Sequence, residues 1–296
     1  MVSEKLKILR NKQSLQKGNL PPILMWHGDV EKFLDNLPSE ETFDLVITSP
    51  PYNIGKPYEK KNELRDYLEW QKRVIGKCLD RLNERGSICW QVGNYLEKGN
   101  KGKANAIMPL DILFFEIFRS FGLKLRNRII WHFGHGLHCK HRFSGRYEVV
   151  LWFTKTDDYY FDLDAVRVKP KYPGKKHFKG PRIGQYSSNP KGKNPEDLWE
   201  ITDDMLTAWD VPVWEVPNVK SNHIEKTIHP CQFPIELAER LILALSNKND
   251  LIVDPYAGVG TTLCAALKNK RRSAGSEIKK KYVNIAKKRI KLFYIL

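Results

Sequence analysis

The sequence predicts a doubly wound α/β fold, built on a mostly parallel sheet and carrying one irregular insertion. Two observations lead to this prediction. Short apolar segments of strand length alternate with segments of helical period over residues 23–153 and again from residue 235 onward, which is typical of parallel sheets covered by helices. Between them, residues 165–225 hold seven prolines and no apolar period. The length of 296 residues, 41% of them apolar, fits one domain with an insertion.

The first half of the chain supplies the elements that precede the insertion. Apolar runs predict strands at residues 23–26, 43–47, 87–92, 125–133 and 147–153. Apolar residues at helical spacing predict helices at about 30–37, 65–82 and 110–121. We therefore divide the chain into a first half of the domain (23–164), an insertion (165–225) and a second half of the same domain (226–296).

The second half begins with a helix and ends with a helix. Pro234 suits the first helical position, and the apolar residues that follow it recur at helical spacing: Ile235, Ala238, Leu241, Ile242 and Leu245. Residues 251–254 and 272–277 are predicted strands, with a helix through 263–267 between them. The basic last helix continues this series, so we expect it to pack on the sheet rather than on a membrane surface.

One short motif combines a strand end with hydrogen-bond acceptors and an aromatic ring. Thr48-Ser49-Pro50-Pro51-Tyr52 directly follows the apolar run 43–47. The prolines fix the backbone and remove N–H donors, which leaves the Ser49 hydroxyl and the carbonyl oxygens to accept hydrogen bonds. Tyr52 offers a flat face for stacking. Acceptors that grip the hydrogens of a base amine would return its delocalised lone pair to nitrogen, which favours amino alkylation. An isolated motif of this kind also fits a proline-rich turn.

A glycine turn follows the predicted strand 251–254. Gly258 and Gly260 are followed by Leu263 where a dinucleotide-binding turn would have its third glycine, and no lysine follows Gly260 as in a phosphate-binding loop. An uncharged turn beside an acidic residue instead suits a cationic sulfonium, and Asp254 supplies that acid. Glu277 stands 23 residues further on, close to the spacing of roughly 20 at which such folds place a carboxylate on ribose hydroxyls. An acid at a strand end can also be a helix cap.

Together these motifs resemble the DNA amino-methyltransferases, which methylate the exocyclic nitrogen of cytosine or adenine with S-adenosylmethionine. Further matches follow in the order of that family: His27-Gly28-Asp29, Trp90-Gln91-Val92-Gly93, Arg146-Tyr147-Glu148, and 229–234 ahead of the glycine turn. The resemblance spans about residues 23–290. Because the catalytic motif precedes the cofactor motif, it implies the circularly permuted beta class of the Rossmann-like methyltransferase fold, with Ser49 and Gly258 meeting at neighbouring strand ends.

The resemblance also implies roles for individual residues. The expected catalytic residues are Ser49, Pro50, Pro51, Tyr52 and Asn53, the last as a contact to the base or its backbone. The expected cofactor-binding residues are Asp29, His229, Phe233, Asp254, Pro255, Tyr256, Gly258, Gly260, Thr261 and Glu277. No metal is expected.

The charge of the chain points to a polyanionic partner. The net charge is +16 with a pI near 9.5, which indicates nucleic acid, although many lysines could also be solubilising surface. The insertion interleaves aromatic and basic residues, so we place DNA recognition there, on Lys169, Lys171, Lys175, Lys176, Lys179 and Arg182. A flexible insertion without a partner is the alternative.

The predicted activity is methylation of cytosine N4 in double-stranded DNA by base flipping. Family members with serine at the first motif position mostly methylate cytosine N4, and those with aspartate mostly methylate adenine N6, which stays the alternative. The enzyme would be the protective part of a restriction-modification system, with a cognate endonuclease acting on the same sequence. A non-catalytic DNA-binding module and an RNA methyltransferase remain open.

Two other chemistries fit the sequence less well. Pro230-Cys231 matches the pair that attacks C5 of cytosine, but it precedes a helix and the glycine turn, so we expect Cys231 to be a packing residue. Residues 132–141 contain four histidines and Cys139, yet no partner pair stands at the usual zinc spacing, so DNA-facing or structural histidines are expected.

The cellular setting follows from the cysteines and the hydropathy. Five cysteines lie scattered, without paired spacing or a secretory leader, which predicts a reduced, cytoplasmic protein. No apolar run reaches 18 residues, so no membrane span is predicted.

Overall fold

The described chain forms one large mixed sheet with helices on both faces. A computed structural model describes residues 6–10, 22–56, 59–96, 106–133, 138–170, 172–199, 227 and 232–293. The strands are β1 (Leu6–Arg10), β2 (Ile23–His27), β3 (Phe43–Thr48), β4 (Leu82–Val92), β5 (Asn94–Leu96), β6 (Ile107–Pro109), β7 (Lys124–His132), β8 (Tyr147–Thr154), β9 (Leu198–Trp199), β10 (Leu251–Asp254) and β11 (Arg272–Glu277). The α-helices are α1 (Val30–Asn36), α2 (Leu64–Leu79), α3 (Leu110–Ser120), α4 (Ile235–Leu245), α5 (Thr261–Lys268) and α6 (Lys280–Phe293).

The sheet is assembled from both ends of the sequence. Its strand order is β1-β2-β11-β10-β3-β4-β8-β7-β9, and β5 pairs separately with β6. Neighbours from β1 to β4 are parallel, whereas β8 runs antiparallel to β4 and to β7. The predicted mostly parallel α/β sheet is therefore confirmed. At its centre β10 pairs with β3, with Val253 opposite Val46, so the strands before the two predicted motifs are neighbours.

Two hydrophobic cores lie on opposite faces of the sheet. Helices α1, α2 and α3 bury their apolar faces on one side, where Trp26, Val46 and Trp90 point toward them. Helices α4, α5 and α6 cover the other side, where Met25, Ile47 and Ile252 point. Successive strand residues face opposite sides, so near-continuous apolar strands such as β3 feed both cores. The basic helix α6 packs on the sheet as predicted, with Val283, Ala286 and Ile290 buried.

Several predicted boundaries shift, and β4 shows why. The helix predicted to reach residue 82 ends at Leu79, and β4 begins at Leu82 rather than at residue 87. The intervening Arg81 donates hydrogen bonds to the carbonyl oxygens of Leu37 at 3.1 Å and Glu41 at 2.6 Å. These contacts come from a segment distant in sequence, so apolar spacing alone does not reveal where the helix ends.

The predicted insertion is irregular over its described part but is tied to the sheet. Asp164–Val166 form a single 3₁₀ turn, Val168 pairs with Lys193, and Lys176 pairs with Tyr186. β9 then adds a short parallel strand beside β7, with Trp199 opposite Trp131. Residues 200–226 lie outside the described residues. Among the helices that the structure describes, none is both long and apolar enough to span a membrane.

Candidate active site

A cavity of about 280 Å³ opens at the carboxyl ends of β3 and β10. One wall comes from the turn after β3, with Ser49, Pro50, Pro51, Tyr52 and Asn53, which we call the catalytic turn. The facing wall comes from the turn after β10, residues 255–260, which we call the glycine turn. Parallel strands place their carboxyl ends at one edge of the sheet, and open α/β sheets bind ligands there. The tyrosine of one motif and the glycines of the other therefore share one space.

The catalytic turn is held rigidly by neighbours in α2 and in the segment before it. The Tyr67 hydroxyl donates to the Pro51 carbonyl at 2.6 Å. Asn53 adopts a positive φ of 60°, which asparagine tolerates better than most residues. Its side-chain amide donates to the Asn62 carbonyl at 2.8 Å, and its side-chain oxygen accepts from the Asn62 N–H at 2.7 Å. The predicted contact of Asn53 with a base is thus replaced by a structural one, because both its polar atoms are already used.

Glu59 completes the support of the catalytic turn. Its carboxylate accepts hydrogen bonds from the backbone N–H groups of Asn53 and Ile54, each at 2.8 Å. The Pro50 carbonyl, by contrast, accepts no hydrogen bond from the residues that the structure describes. Its oxygen and the Ser49 hydroxyl are thus the acceptors that the turn offers to the cavity.

A polar cluster lies behind Ser49 and was not predicted. The Ser49 hydroxyl oxygen lies 3.2 Å from the Tyr52 hydroxyl oxygen, and Tyr52 donates to Glu148 Oε2 at 3.3 Å. The side-chain amide of Gln91 donates to the same carboxylate oxygen. Burial raises the pKa of Glu148 to about 7, against the opposing effect of the hydrogen bonds from Tyr52 and Gln91.

Asp254 holds the glycine turn in place from beneath and does not line the cavity. It is 1% exposed. Its Oδ1 accepts from the Thr48 hydroxyl at 2.6 Å and from the Tyr256 N–H at 3.1 Å, and its Oδ2 accepts from the Thr262 hydroxyl at 2.6 Å. Burial raises its pKa to about 6. The expected direct contact of Asp254 with a sulfonium is therefore corrected to a role that positions the turn.

The glycine turn needs its glycines for both conformation and close packing. Gly258 and Gly260 have φ values of 52° and 78°, which favour glycine. Gly260 does not line the cavity; a Cβ there would lie 3.0 Å from the Cβ of Ala286 in α6. Arg289, also in α6, donates to the Val259 carbonyl at 2.9 Å and to the Thr261 hydroxyl at 3.0 Å. Helix α6 thereby fixes the far side of the turn.

The acidic end of β11 faces the cavity next to the glycine turn. The Glu277 side chain lines it, and its Oε1 accepts from the Lys279 N–H at 2.5 Å. Burial raises the pKa of Glu277 to about 7. The Glu277 carbonyl accepts from the Gly28 N–H at 3.0 Å, which brings Asp29 to the same wall as the cap of α1. A carboxylate beside an uncharged turn fits a cofactor that carries ribose hydroxyls and no phosphate.

Aromatic side chains and the segment before α4 close the remaining sides. Trp70 and Tyr256 line the cavity and meet edge to face, with ring centroids 5.7 Å apart. Pro255, Thr261 and Phe233 line it as well. Apolar walls of this kind suit the flat rings of a nucleoside. Trp70 could not be recognised beforehand, because it falls within the apolar pattern of α2.

Some predicted site residues lie elsewhere. Lys169, Lys175, Lys176, Lys179 and Arg182 are exposed and contribute nothing to the cavity lining. His229, Cys231 and Lys171 lie outside the described residues. Within the described part of the chain, no group of three or more metal-ligating side chains is placed to hold an ion.

The sheet order and the shared cavity define a class of protein: a nucleoside-cofactor methyltransferase of the doubly wound fold. The family model of the N6/N4 DNA methylases matches residues 43–288. The chain belongs to this DNA methylase family, whose methyl donor is S-adenosylmethionine.

Known relatives cover most of the chain. It is 44% identical to the type II methyltransferase M.BglII of Bacillus subtilis over 262 residues, which are 88% of this chain and 67% of that protein. It is 35% identical to M.ScaI of Streptomyces caespitosus over 266 residues, 89% of this chain and 80% of that protein. It is 29% identical to the DNA adenine methyltransferase YhdJ of Escherichia coli (strain K12) over 272 residues, 89% and 81% of the two chains.

Solved structures share the fold. The cytosine-N4-specific PvuII DNA methyltransferase superposes with a TM-score of 0.64 at 23% identity, covering 95% of each chain. A DNA modification methylase of Thermus thermophilus, complexed with S-adenosylmethionine, superposes with a TM-score of 0.61 at 24% identity, covering 91% of this chain and 93% of that one.

Proposed function

We propose that this chain methylates the N4 amine of cytosine in duplex DNA with S-adenosylmethionine as methyl donor. The observation that carries the proposal is the shared cavity, because the catalytic turn and the glycine turn face one space of about 280 Å³. A donor seated on the glycine turn and an amine held at Ser49 would lie side by side there. Direct transfer of a methyl group requires this proximity and alignment.

The catalytic turn supplies what an amino group needs to become nucleophilic. The Ser49 hydroxyl and the Pro50 carbonyl accept the two amine hydrogens, so the lone pair of nitrogen is directed toward the methyl carbon. The Tyr52 ring stacks on the base. When bound, S-adenosylmethionine supplies an electrophilic methyl group on a sulfonium. Glu277 accepts hydrogen bonds from its ribose hydroxyls, and the aromatic walls contact its adenine.

The target base reaches this cavity only by leaving the duplex. Extruding one nucleotide costs a few kcal/mol, which contacts to the DNA backbone can offset. The tip of the β7–β8 hairpin lies at the same sheet edge as the catalytic turn, since Val149 of β8 pairs with Val92 at the end of β4. Described residues 138–146 of this tip include Lys140, Arg142 and Arg146 and no acidic residue. We assign them to phosphate contacts.

The insertion adds a second basic and aromatic surface. Lys176 lies over the Tyr186 ring at 5.2 Å, and Lys179 lies over the Phe178 ring at 5.7 Å. Phe178 is 73% exposed and Tyr186 is 65% exposed. Exposed rings of this size, flanked by cations, suit contacts with bases and phosphates. We infer that this surface contributes to recognition of the DNA sequence.

The choice of cytosine rests on Ser49. Family members with serine at this motif position mostly methylate cytosine N4, and adenine N6 is the alternative product. The type II relatives favour a role in protecting DNA from a cognate endonuclease that acts on the same sequence. Both steps rest on similarity, whereas the geometry supports amino methylation of a nucleobase.

A transfer assay with defined acceptors tests the proposed function. The protein is incubated with S-adenosylmethionine labelled in its methyl group and with unmethylated duplex DNA, single-stranded DNA or RNA. We expect label on duplex DNA, and we expect Ser49→Ala to lose transfer while it still binds the cofactor. Label on RNA alone, or full activity of Ser49→Ala, would contradict the proposal. Tyr160→Phe is a matched control, because Tyr160 lies on a loop outside the cavity.

A further inference from the structure

Three side chains form a continuous hydrogen-bonded path that leads away from the cavity. Ser49 stands at the cavity wall, its hydroxyl oxygen 3.2 Å from that of Tyr52, and Tyr52 donates to Glu148 Oε2 at 3.3 Å. Glu148 does not line the cavity. The path therefore connects an atom that would touch the substrate with a carboxyl group behind it.

The number of protons fixes the direction of these hydrogen bonds. An ionised carboxylate only accepts, so the single hydroxyl proton of Tyr52 is committed to Glu148. Ser49 must then donate its own proton to the Tyr52 oxygen in order to make the 3.2 Å contact. In this arrangement the lone pairs of Ser49 are left for the cavity. Ser49 would therefore face an incoming amine as an acceptor and not as a donor.

The position of Glu148 is built by the neighbouring strands. A Cβ on Gly93, just past β4, would lie 3.1 Å from Glu148 Oε1 and 3.1 Å from Tyr52 Cε2. A larger residue at position 93 would thus crowd both members of the path. Gln91 donates to the same carboxylate oxygen as Tyr52, and the cross-strand neighbour of Glu148 on β7 is the uncharged Trp131.

We propose that Glu148 is the terminal proton acceptor for the methylated amine, reached through Ser49 and Tyr52. This inference rests on the proposed function of the cavity. The groups that face the carboxyl are Tyr52 from the catalytic turn and Gln91 from β4, and neither is charged. Burial without a charged partner raises the pKa of Glu148 to about 7, so the group can both accept and release a proton near neutral pH.

The proposed step balances in atoms and electrons. The amine nitrogen forms a bond to the methyl carbon while the C–S bond breaks and its electron pair stays on sulfur. The nitrogen then carries a positive charge and an acidic hydrogen. That proton passes to Ser49 as the Ser49 proton passes to Tyr52 and the Tyr52 proton passes to Glu148. Ser49 and Tyr52 end unchanged, Glu148 becomes the neutral acid, and it later returns the proton to solvent.

Two substitutions interrupt the path at different points. Glu148→Gln removes the acceptor, and Tyr52→Phe removes only the hydroxyl while it keeps the ring that stacks on the base. We expect each to lower kcat by about 10²-fold, the lower end of what proton transfer contributes. The double variant should lose no more than either single variant, since both break one path. Losses that multiply in the double variant would overturn the proposal.

The pH profile separates proton transfer from a structural role. At saturating cofactor, kcat of the wild type should rise through about pH 7, because only the carboxylate form of Glu148 accepts. This rising limb should be absent in Glu148→Gln. The same limb in the variant would overturn the proposal, even if kcat were low. Cofactor affinity and thermal unfolding of each variant, with Tyr160→Phe as the control for loss of a tyrosine hydroxyl, report on folding.

This experiment distinguishes the path from the proposed function. If the wild type transfers no methyl group to DNA, the proposed function fails. If the wild type is active and both variants keep its kcat and its pH profile, the path through Glu148 fails and the proposed function stands.

Discussion

The hydroxyl of Thr48 donates a 2.6 Å hydrogen bond to the carboxylate of Asp254, although 206 residues separate them in the sequence. Thr48 ends β3 directly before the catalytic turn, and Asp254 ends β10 directly before the glycine turn. Because the same carboxylate also accepts from the Tyr256 N–H and from Thr262, one buried group couples the two turns. The geometry of transfer thus depends on a contact that touches neither proposed ligand.

Thr48→Val removes this hydroxyl with little change of shape. A hydrogen bond to a charged group contributes about 1.5–3 kcal/mol, and we expect the free energy of unfolding to fall by that amount and cofactor affinity to weaken several-fold. Denaturant unfolding and cofactor titration measure the two effects. Thr42→Val, at an exposed position just before β3, should change stability by less than about 0.5 kcal/mol. Equal effects of the two substitutions would refute a special role for Thr48.

Gly275→Ala tests the packing of the glycine turn against β11. A Cβ at position 275 would lie 2.7 Å from the Ala257 Cβ and 2.9 Å from the Leu263 Cδ1. Overpacking of this kind costs typically about 1–3 kcal/mol, and displacement of the turn should also weaken cofactor binding. Gly174→Ala is the matched control, since a Cβ there meets nothing within 4 Å. Unchanged cofactor affinity in Gly275→Ala would show that the turn tolerates the shift.

Cofactor binding should depend on pH through Glu277. Burial raises the pKa of its carboxyl to about 7, and only the carboxylate accepts hydrogen bonds from both ribose hydroxyls. As pH falls from about 8.5 to about 6.5, protonation should therefore weaken cofactor affinity by a few-fold, measured by calorimetric titration. Glu277→Gln should bind more weakly at the alkaline end and show a flat pH dependence over this range. The same slope in the variant would assign the effect to another group.

Charge reversal on the insertion tests its contact with DNA. For the double variant Lys176→Glu with Lys179→Glu we expect weaker DNA binding and a smaller dependence on salt, by about two units of slope, since each phosphate contact contributes about 0.9. Lys248→Glu with Lys270→Glu changes the net charge equally at the opposite edge of the sheet, where β10 and β11 begin. If both variants lower DNA affinity equally, overall charge and not the insertion accounts for binding.

Much of the fold could be predicted because its signals are local. The strands β3, β10 and β11 are short apolar runs, and the turns after β3 and β10 have the proline and glycine chemistry that such turns require. The order of the two motifs along the chain then predicted that distant strands pair, and β10 lies beside β3 as expected.

What could not be predicted depends on contacts between distant residues. Asp254 stands at a strand end where a ligand-facing acid was expected, but its carboxylate points inward because Thr48 and Thr262 supply buried donors. Glu148 could not be placed at all, since its contact with Tyr52 exists only once β8 pairs with β4. Asn53 likewise looked available to a base, yet Asn62 uses both its polar atoms.

The identity of the methylated nucleoside tests the central claim most directly. Unmethylated duplex DNA is incubated with the protein and labelled S-adenosylmethionine, digested to nucleosides and analysed by mass spectrometry. We predict labelled N4-methylcytosine, which is absent when the Ser49→Ala variant replaces the wild type. Labelled N6-methyladenine would contradict the assignment of cytosine, and labelled 5-methylcytosine or no labelled nucleoside would contradict amino methylation at this site.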